Sequence, residues 1–121
     1  MTRILLVEDE HNIRLFIAAL LNSKGHVVLE AEDGHEALNL LRTPDAFDLL
    51  ITDLVMPRVD GLQVIEVARK DNPTLPIIAM SAYHDRLDEA QAKGADHCLR
   101  KPFGRQQLLD CIASMGKRLT D

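Results

Sequence analysis

Five short apolar runs at nearly regular intervals constrain this chain more than any other feature. Ile4 to Val7, Val27 to Leu29, Leu49 to Ile51, Ile77 to Met80 and, weakest, Cys98 to Leu99 begin 23, 22, 28 and 21 residues apart. Each interval holds about one strand plus one crossover helix, slightly compact for a βα unit. The first, third and fourth runs do not alternate apolar with polar residues. That pattern belongs to strands covered on both faces, as in a parallel sheet.

The segments between the runs carry helical periodicity. Ile13, Phe16, Ile17, Leu20 and Leu21 make one apolar stripe, with Gly25 just beyond it as a C-cap residue. Ala37, Leu38 and Leu41 form a second, opened by Asp33-Gly34 and closed before Pro44. Leu62, Ile65 and Ala68 form a third, ended by Asn72-Pro73. Leu87, Ala90 and Gly94 form a weak fourth, and Leu108, Ile112, Met115 and Leu119 a fifth. Alternation of this kind predicts an α/β fold: a doubly wound, five-stranded parallel sheet, (βα)5. Right-handed crossovers leave few topologies, and the common five-stranded solution is the flavodoxin-like order 2-1-3-4-5.

With 121 residues the chain is one domain, expected over 1–121, and long enough to bury a real core. Its 46% hydrophobic content argues against disorder. A net charge of −5 argues against a nucleic-acid or membrane-surface binder, and the one basic cluster, Lys117-Arg118, reads as a helix C-terminus. Aromatic residues are 3% with no Trp, too few for base-stacking platforms. Cys98 and Cys111 stand alone, without zinc-site spacing or a disulfide framework. No signal peptide or membrane-spanning run is visible, so a reducing, cytoplasmic location is the expectation.

A doubly wound sheet places its functional crevice at the carboxyl ends of its strands. Reading the residue after each predicted strand gives Glu8, Asp9 and Glu10, then Asp53, then Ser81, then Lys101. Any one of these alone reads more readily as a turn residue than as a site, since loops are polar and Asp favours turns. Together, with Glu8, Asp9 and Asp53 as the three carboxylates, they bring acids, a hydroxyl and an ammonium to one edge. Crowded carboxylates raise one another's pKa unless a cation sits among them. A few oxygen ligands suit Mg2+, with Mn2+ as the alternative. Metal, ammonium and hydroxyl would clamp a phosphoryl group, and Asp53 at the centre could be a nucleophile that forms an aspartyl-phosphate.

The residues resemble the receiver domain of bacterial two-component response regulators across essentially the whole chain. The ordered set is Ile-Leu-Leu-Val-Glu-Asp-Glu at 4–10, Glu-Asp-Gly-His-Glu-Ala-Leu at 32–38, Asp-Leu-Val-Met-Pro-Arg-Val-Asp-Gly at 53–61, Pro-Ile-Ile-Ala-Met-Ser-Ala at 76–82, Gly-Ala-Asp at 94–96 and Lys-Pro-Phe at 101–103. By that resemblance Asp53 is the phosphoacceptor. Glu8 and Asp9 are the acidic pair that holds Mg2+, directly or through water, with the Val55 backbone carbonyl as a further ligand. Ser81 reorients to the phosphoryl group, Lys101 pairs with it, and Lys101-Pro102 is a cis peptide. The implied reaction is phosphoryl transfer from a phosphohistidine on a sensor kinase or phosphotransfer protein. Slow self-hydrolysis and a shift between two conformations follow. The resemblance implies no other enzymatic activity. It implies a downstream target or an output domain, met through the fourth helix, fifth strand and fifth helix, and leaves open whether the chain stands alone.

Met56, Pro57 and Asp60-Gly61 are expected to shape the loop after the third strand, Gly61 supplying a turn. Met80 and Met115 read as core fillers, and His11, His26, His35 and His84 as exposed polar residues. Ala82 reads equally as simple packing and as a small residue that leaves the phosphoryl group accessible. Two departures from the family pattern stand out. Cys98 occupies a position where the family usually has Tyr or Phe, and it reads as a small buried hydrophobe; His97 or Tyr83 could substitute as the switch. Val55 and Tyr83 replace groups that are often polar, which predicts a long-lived phosphoryl state. An aspartyl-phosphate phosphatase of the haloacid dehalogenase type lacks support, because Val55 stands where its second Asp belongs. A flavin carrier fails because Glu8-Asp9-Glu10 would repel the flavin phosphate.

Overall fold

The computed structural model describes residues 2–44 and 46–115. Its elements run β1 (Arg3–Val7), α1 (His11–Ser23), β2 (Val27–Ala31), α2 (Gly34–Leu41), β3 (Leu49–Asp53), α3 (Gly61–Asp71), β4 (Ile77–Ser81), α4 (His84–Lys93), β5 (His97–Arg100) and α5 (Arg105–Ser114). The strands form one parallel sheet in the order β2-β1-β3-β4-β5, as the spacing of the apolar runs predicts. Register is continuous through the centre: Leu5 pairs with Leu50, and Ile51 with Ile78.

The sheet divides two cores. Leu5, Val7, Leu50, Ile77 and Ala79 face α2, α3 and α4, whereas Ile4, Leu6, Ile51, Ile78, Met80 and Leu99 face α1 and α5. Residues of opposite parity along each central strand go to opposite faces, so every position in β3 and β4 is buried. That double coverage is the reason these runs show no polar alternation.

Most helix boundaries follow their local signals. Asp33 caps α2 by accepting from the Glu36 N–H, and Asp60 caps α3 in a capping box with Gln63. Gly25 follows α1 at φ +88°, as its place predicts. Met80 and Met115 are buried core residues. Leu119 and the Lys117-Arg118 pair lie outside the described residues.

Several expectations are corrected. Gly94 does not belong to the buried stripe of α4; it is the left-handed residue that ends the helix, at φ +117°. Phe16 is 48% exposed, and Arg14 is buried on α1 instead. The buried face of α1 is rotated toward Arg14 and Ala18, because Arg14 has polar partners on β2 and the β1 end. Cys98 is exposed rather than buried, since β5 is an edge strand with no neighbour beyond it. His26 is half-buried, following α1 into the sheet, while His11, His35 and His84 are exposed. Gly61 supplies no turn: it is the first residue of α3, and the left-handed residue of the preceding loop is Arg58, at φ +67°.

Candidate functional site

The carboxyl ends of β1, β3, β4 and β5 bring the expected residues together. Asp53 and Ser81 are the last residues of β3 and β4, and Glu8 and Lys101 follow β1 and β5 directly. Lys101 is the hub. Its Nζ donates to Glu8 Oε1 at 2.5 Å and lies 3.3 Å from Asp53 Oδ2. The Lys101 N–H also donates to the Ser81 carbonyl at 2.9 Å, which carries the β4–β5 pairing to the edge of the site. The Lys101-Pro102 peptide is cis.

Each carboxylate has a different environment. Glu8 is fully buried, and its Oε2 accepts from the Glu10 N–H at 3.2 Å. Asp53 is almost fully buried, with Oδ1 accepting from the Leu54 N–H at 2.8 Å. Asp9 is exposed. One carboxylate oxygen from each of the three lies within 4.8 Å of the others. Burial pushes Glu8 up to about 7; Asp53's charge adds to the rise, while Lys101 and the Glu10 N–H oppose it. Burial also raises Asp53, against the pull of Lys101, Glu8 and the Leu54 N–H. Lys101 is held above its usual value: burial alone would lower it, but the two carboxylates prevail.

These observations test the fit of a divalent cation. Three carboxylates gather together, Lys101 pairs with two of them, and burial raises both Glu8 and Asp53. An all-oxygen donor set with an excess of negative charge suits a hard cation. Asp9 and Asp53 offer carboxylate oxygens, and Glu8, whose two oxygens already accept from Lys101 and Glu10, is placed behind them.

The backbone around Asp53 is fitted closely. A Cβ on Gly61 would lie 2.0 Å from the Asp53 carbonyl oxygen and 2.7 Å from Leu54 Cα. The Gly61 N–H donates to the Leu54 carbonyl at 2.9 Å, so α3 begins against the peptide that follows Asp53. Gly61 therefore serves close approach rather than a turn. Met56 is buried in the core on the α3 side, while Pro57 is exposed.

Ser81 is buried, and its Oγ accepts from the Tyr83 N–H at 3.1 Å. Ala82 is exposed and is not a packing residue. Val55 and Tyr83 have exposed side chains, at 48% and 58%. Cys98 is turned toward α4, its thiol donating to the Leu87 carbonyl at 3.5 Å. Partial desolvation of the thiol against α4, with the Asp88 charge, pushes it up, which does not suit a reactive thiolate. Burial pushes Cys111 up to about 11.

Three features were not read from the sequence. Arg14 is a buried guanidinium whose Nη1 donates to the Glu8 carbonyl at 2.8 Å. An apolar groove of about 340 Å3 lies beside Lys101, lined by Ile13, Phe16, Ala82, Pro102 and Phe103. Arg100 at the end of β5 hydrogen-bonds His84 in the first turn of α4. A cation inside an apolar stripe gives no sequence signal of its partners, and the groove joins residues about ninety positions apart.

Comparison with known proteins agrees with this geometry. The profile of the response regulator receiver domain matches residues 4–113. Response regulator MprA of Mycolicibacterium vanbaalenii is 37% identical over 121 residues, covering 98% of this chain and 52% of the relative. The transcriptional regulatory protein CpxR of Escherichia coli is 35% identical over 120 residues, covering 98% of this chain and 50% of the relative. This chain thus spans about half the length of these relatives. Among solved structures, the receiver domain of the Francisella response regulator 1452 superposes with a TM-score of 0.87 at 31% identity, covering 98% of both chains. Wild-type response regulator TrrA of Thermotoga maritima, in complex with Mg2+–BeF, gives a TM-score of 0.86 at 33% identity, covering 95% of this chain and 99% of that one. Sequence, topology and these likenesses agree: the chain belongs to the response regulator receiver domain family of two-component signalling.

Proposed function

We propose that Asp53 is the phosphoacceptor and that the domain takes a phosphoryl group from a phosphohistidine on a sensor histidine kinase or phosphotransfer protein. The observation that carries this reading is the Lys101 ammonium held 2.5 Å from Glu8 and 3.3 Å from Asp53, with Asp9 on the open side. A carboxylate oxygen of Asp53 forms the new O–P bond. The N–P bond of the donor breaks, and its electron pair stays on the imidazole nitrogen. The Leu54 N–H fixes the rotation of the Asp53 carboxylate, and Lys101 offsets the charge of the incoming phosphoryl oxygens. Ser81 supplies a hydroxyl to that group once it leaves its bond from the Tyr83 N–H.

The residues fit Mg2+, or Mn2+ in its place: Asp9, Asp53 and the Val55 carbonyl would hold it, with Glu8 acting directly or through water. When bound, that ion neutralises phosphoryl oxygens and aligns the transfer. The chain catalyses only its own phosphorylation and slow dephosphorylation. The apolar groove flanked by Phe16 and Phe103 opens next to Lys101 and gives the donor protein a surface to rest on. Phosphorylation then biases the β4–α4 region toward a second conformation read by a downstream target or an attached output domain. Among the described residues no helix is long and apolar enough to cross a membrane. A cytoplasmic site of action follows from the kinase donor.

Acetyl phosphate with Mg2+ tests the assignment by intact mass. The wild type gains one phosphoryl group, and Asp53→Asn gains none. A wild type that gains none from acetyl phosphate or from a matched kinase would instead be a phosphorylation-independent interaction module.

A further inference from the structure

Arg14 is the one buried arginine among the described residues. Each of its three guanidinium nitrogens has a partner: Nη1 donates to the Glu8 carbonyl at 2.8 Å, Nε to Glu30 Oε1 at 3.2 Å, and Nη2 meets His11 Nδ1 at 3.1 Å. Burying a guanidinium is costly unless it is paired and hydrogen-bonded, so its place on the buried face of α1 calls for a reason.

The Glu8 carbonyl belongs to the peptide unit that leads into Asp9. Upstream, the Glu8 N–H donates to the Ala31 carbonyl at 3.1 Å and continues the β1–β2 ladder. Downstream, the Glu10 N–H donates back to the Glu8 carboxylate, and Glu10 caps α1 without a side-chain hydrogen bond. The loop between strand and helix is thus only Glu8 to Glu10. Rotating the Glu8–Asp9 peptide plane would swing the Asp9 side chain. The Arg14 bond to the carbonyl opposes that rotation, and the half-exposed Glu30 carboxylate on β2 offsets part of the cost of burying the guanidinium.

We propose that Arg14 is a positioning residue for the cation site: it locks the Glu8–Asp9 peptide so that the exposed Asp9 carboxylate stays aligned with Asp53. This rests on the functional reading above, in which Asp9 and Asp53 hold the divalent cation. Arg14 touches neither the cation nor the reacting atoms, and acts through the main chain. Lysine cannot replace it, because one ammonium lacks the planar fork that serves three partners in different directions.

Mg2+ binding to the full chain, measured by calorimetry without any phosphodonor, tests this. Arg14→Lys is expected to weaken Mg2+ binding about ten-fold, the usual scale for losing a group that orients a metal ligand. Glu30→Gln, which keeps the arginine and its bond to the Glu8 carbonyl, is expected to hold the Mg2+ affinity within about two-fold while lowering the urea midpoint. If Arg14→Lys fails to unfold cooperatively, Arg14→Gln takes its place with the same expectation. Wild-type affinity in a folded Arg14 variant overturns the positioning role and leaves the phosphoacceptor reading standing. Equal weakening by Glu30→Gln also overturns it, since the effect would then be general loosening of α1 against β2. A wild type that binds no Mg2+ overturns both readings.

Discussion

Replacing Gly61 by alanine sets two physical effects against each other. Gly61 is the first residue of α3, and on helix propensity alone the change should stabilise by up to about 1 kcal/mol. The tertiary structure demands the opposite. The new Cβ would sit 2.0 Å from the Asp53 carbonyl oxygen, 2.7 Å from Leu54 Cα and 2.9 Å from the Asp53 carbonyl carbon. All three are backbone atoms, so no side chain can rotate away. Relief even to about 3 Å needs about 1 Å of movement by α3 or by the peptide after Asp53. That movement would stretch the 2.9 Å hydrogen bond from Gly61 to Leu54 beyond useful length. Losing it costs about 1 kcal/mol, and overpacking adds about 1–3 kcal/mol. After the propensity gain, a net loss of about 1–3 kcal/mol remains. Urea unfolding followed by far-ultraviolet circular dichroism should show a midpoint lower by about 0.5–1.5 M, at a slope of roughly 2 kcal/mol per M. Phosphorylation by acetyl phosphate should slow by about ten-fold or more, because a displacement of this size at the nucleophile is costly. A Gly61→Ala protein as stable as the wild type, with an unchanged phosphorylation rate, would refute the close-approach argument.

Three further outcomes are expected. Glu8 is raised to about 7 by burial, above its usual 4.5. The folded chain therefore holds a proton that the unfolded chain releases, and stability is fully present below pH 4.5 and lost as pH rises through about 7. Urea midpoints in a chelator across that window should decline, and Glu8→Gln should flatten the decline. Phe16→Ala removes a side chain that is 48% exposed, so its thermal midpoint should move little, while transfer from a cognate kinase slows and labelling by acetyl phosphate does not. Tyr83→Glu places a carboxylate where an exposed aromatic now offers no help to water; phosphoryl loss, followed by mass, should be faster than in the wild type.

The candidate site was legible wherever local pattern and topology agreed. Asp53, Ser81 and Lys101 were found because three strands that show as apolar runs end at them, and a parallel sheet brings strand ends together. Glu8 and Asp9 followed from the end of β1, but their difference did not. Only the folded chain shows Glu8 buried behind Lys101 and Asp9 on the open side. Cys98 was misread because its strand lies at the sheet edge, and edge position is a property of strand order rather than of the four residues in the strand.

Taken alone, the sequence determined the alternation of strands and helices, the doubly buried centre of the sheet and the convergence of acids, hydroxyl and lysine. Those features depend on short-range periodicity, which each segment carries within itself. Tertiary structure alone decided the rest. It set the phase of α1, where Arg14 turns inward and Phe16 outward because the partners of Arg14 include Glu30, sixteen residues away. It also set the need for glycine at 61, where α3 meets the peptide after Asp53. The physical reason is the same in both places: burial and close approach depend on what lies opposite, and what lies opposite comes from elsewhere in the chain.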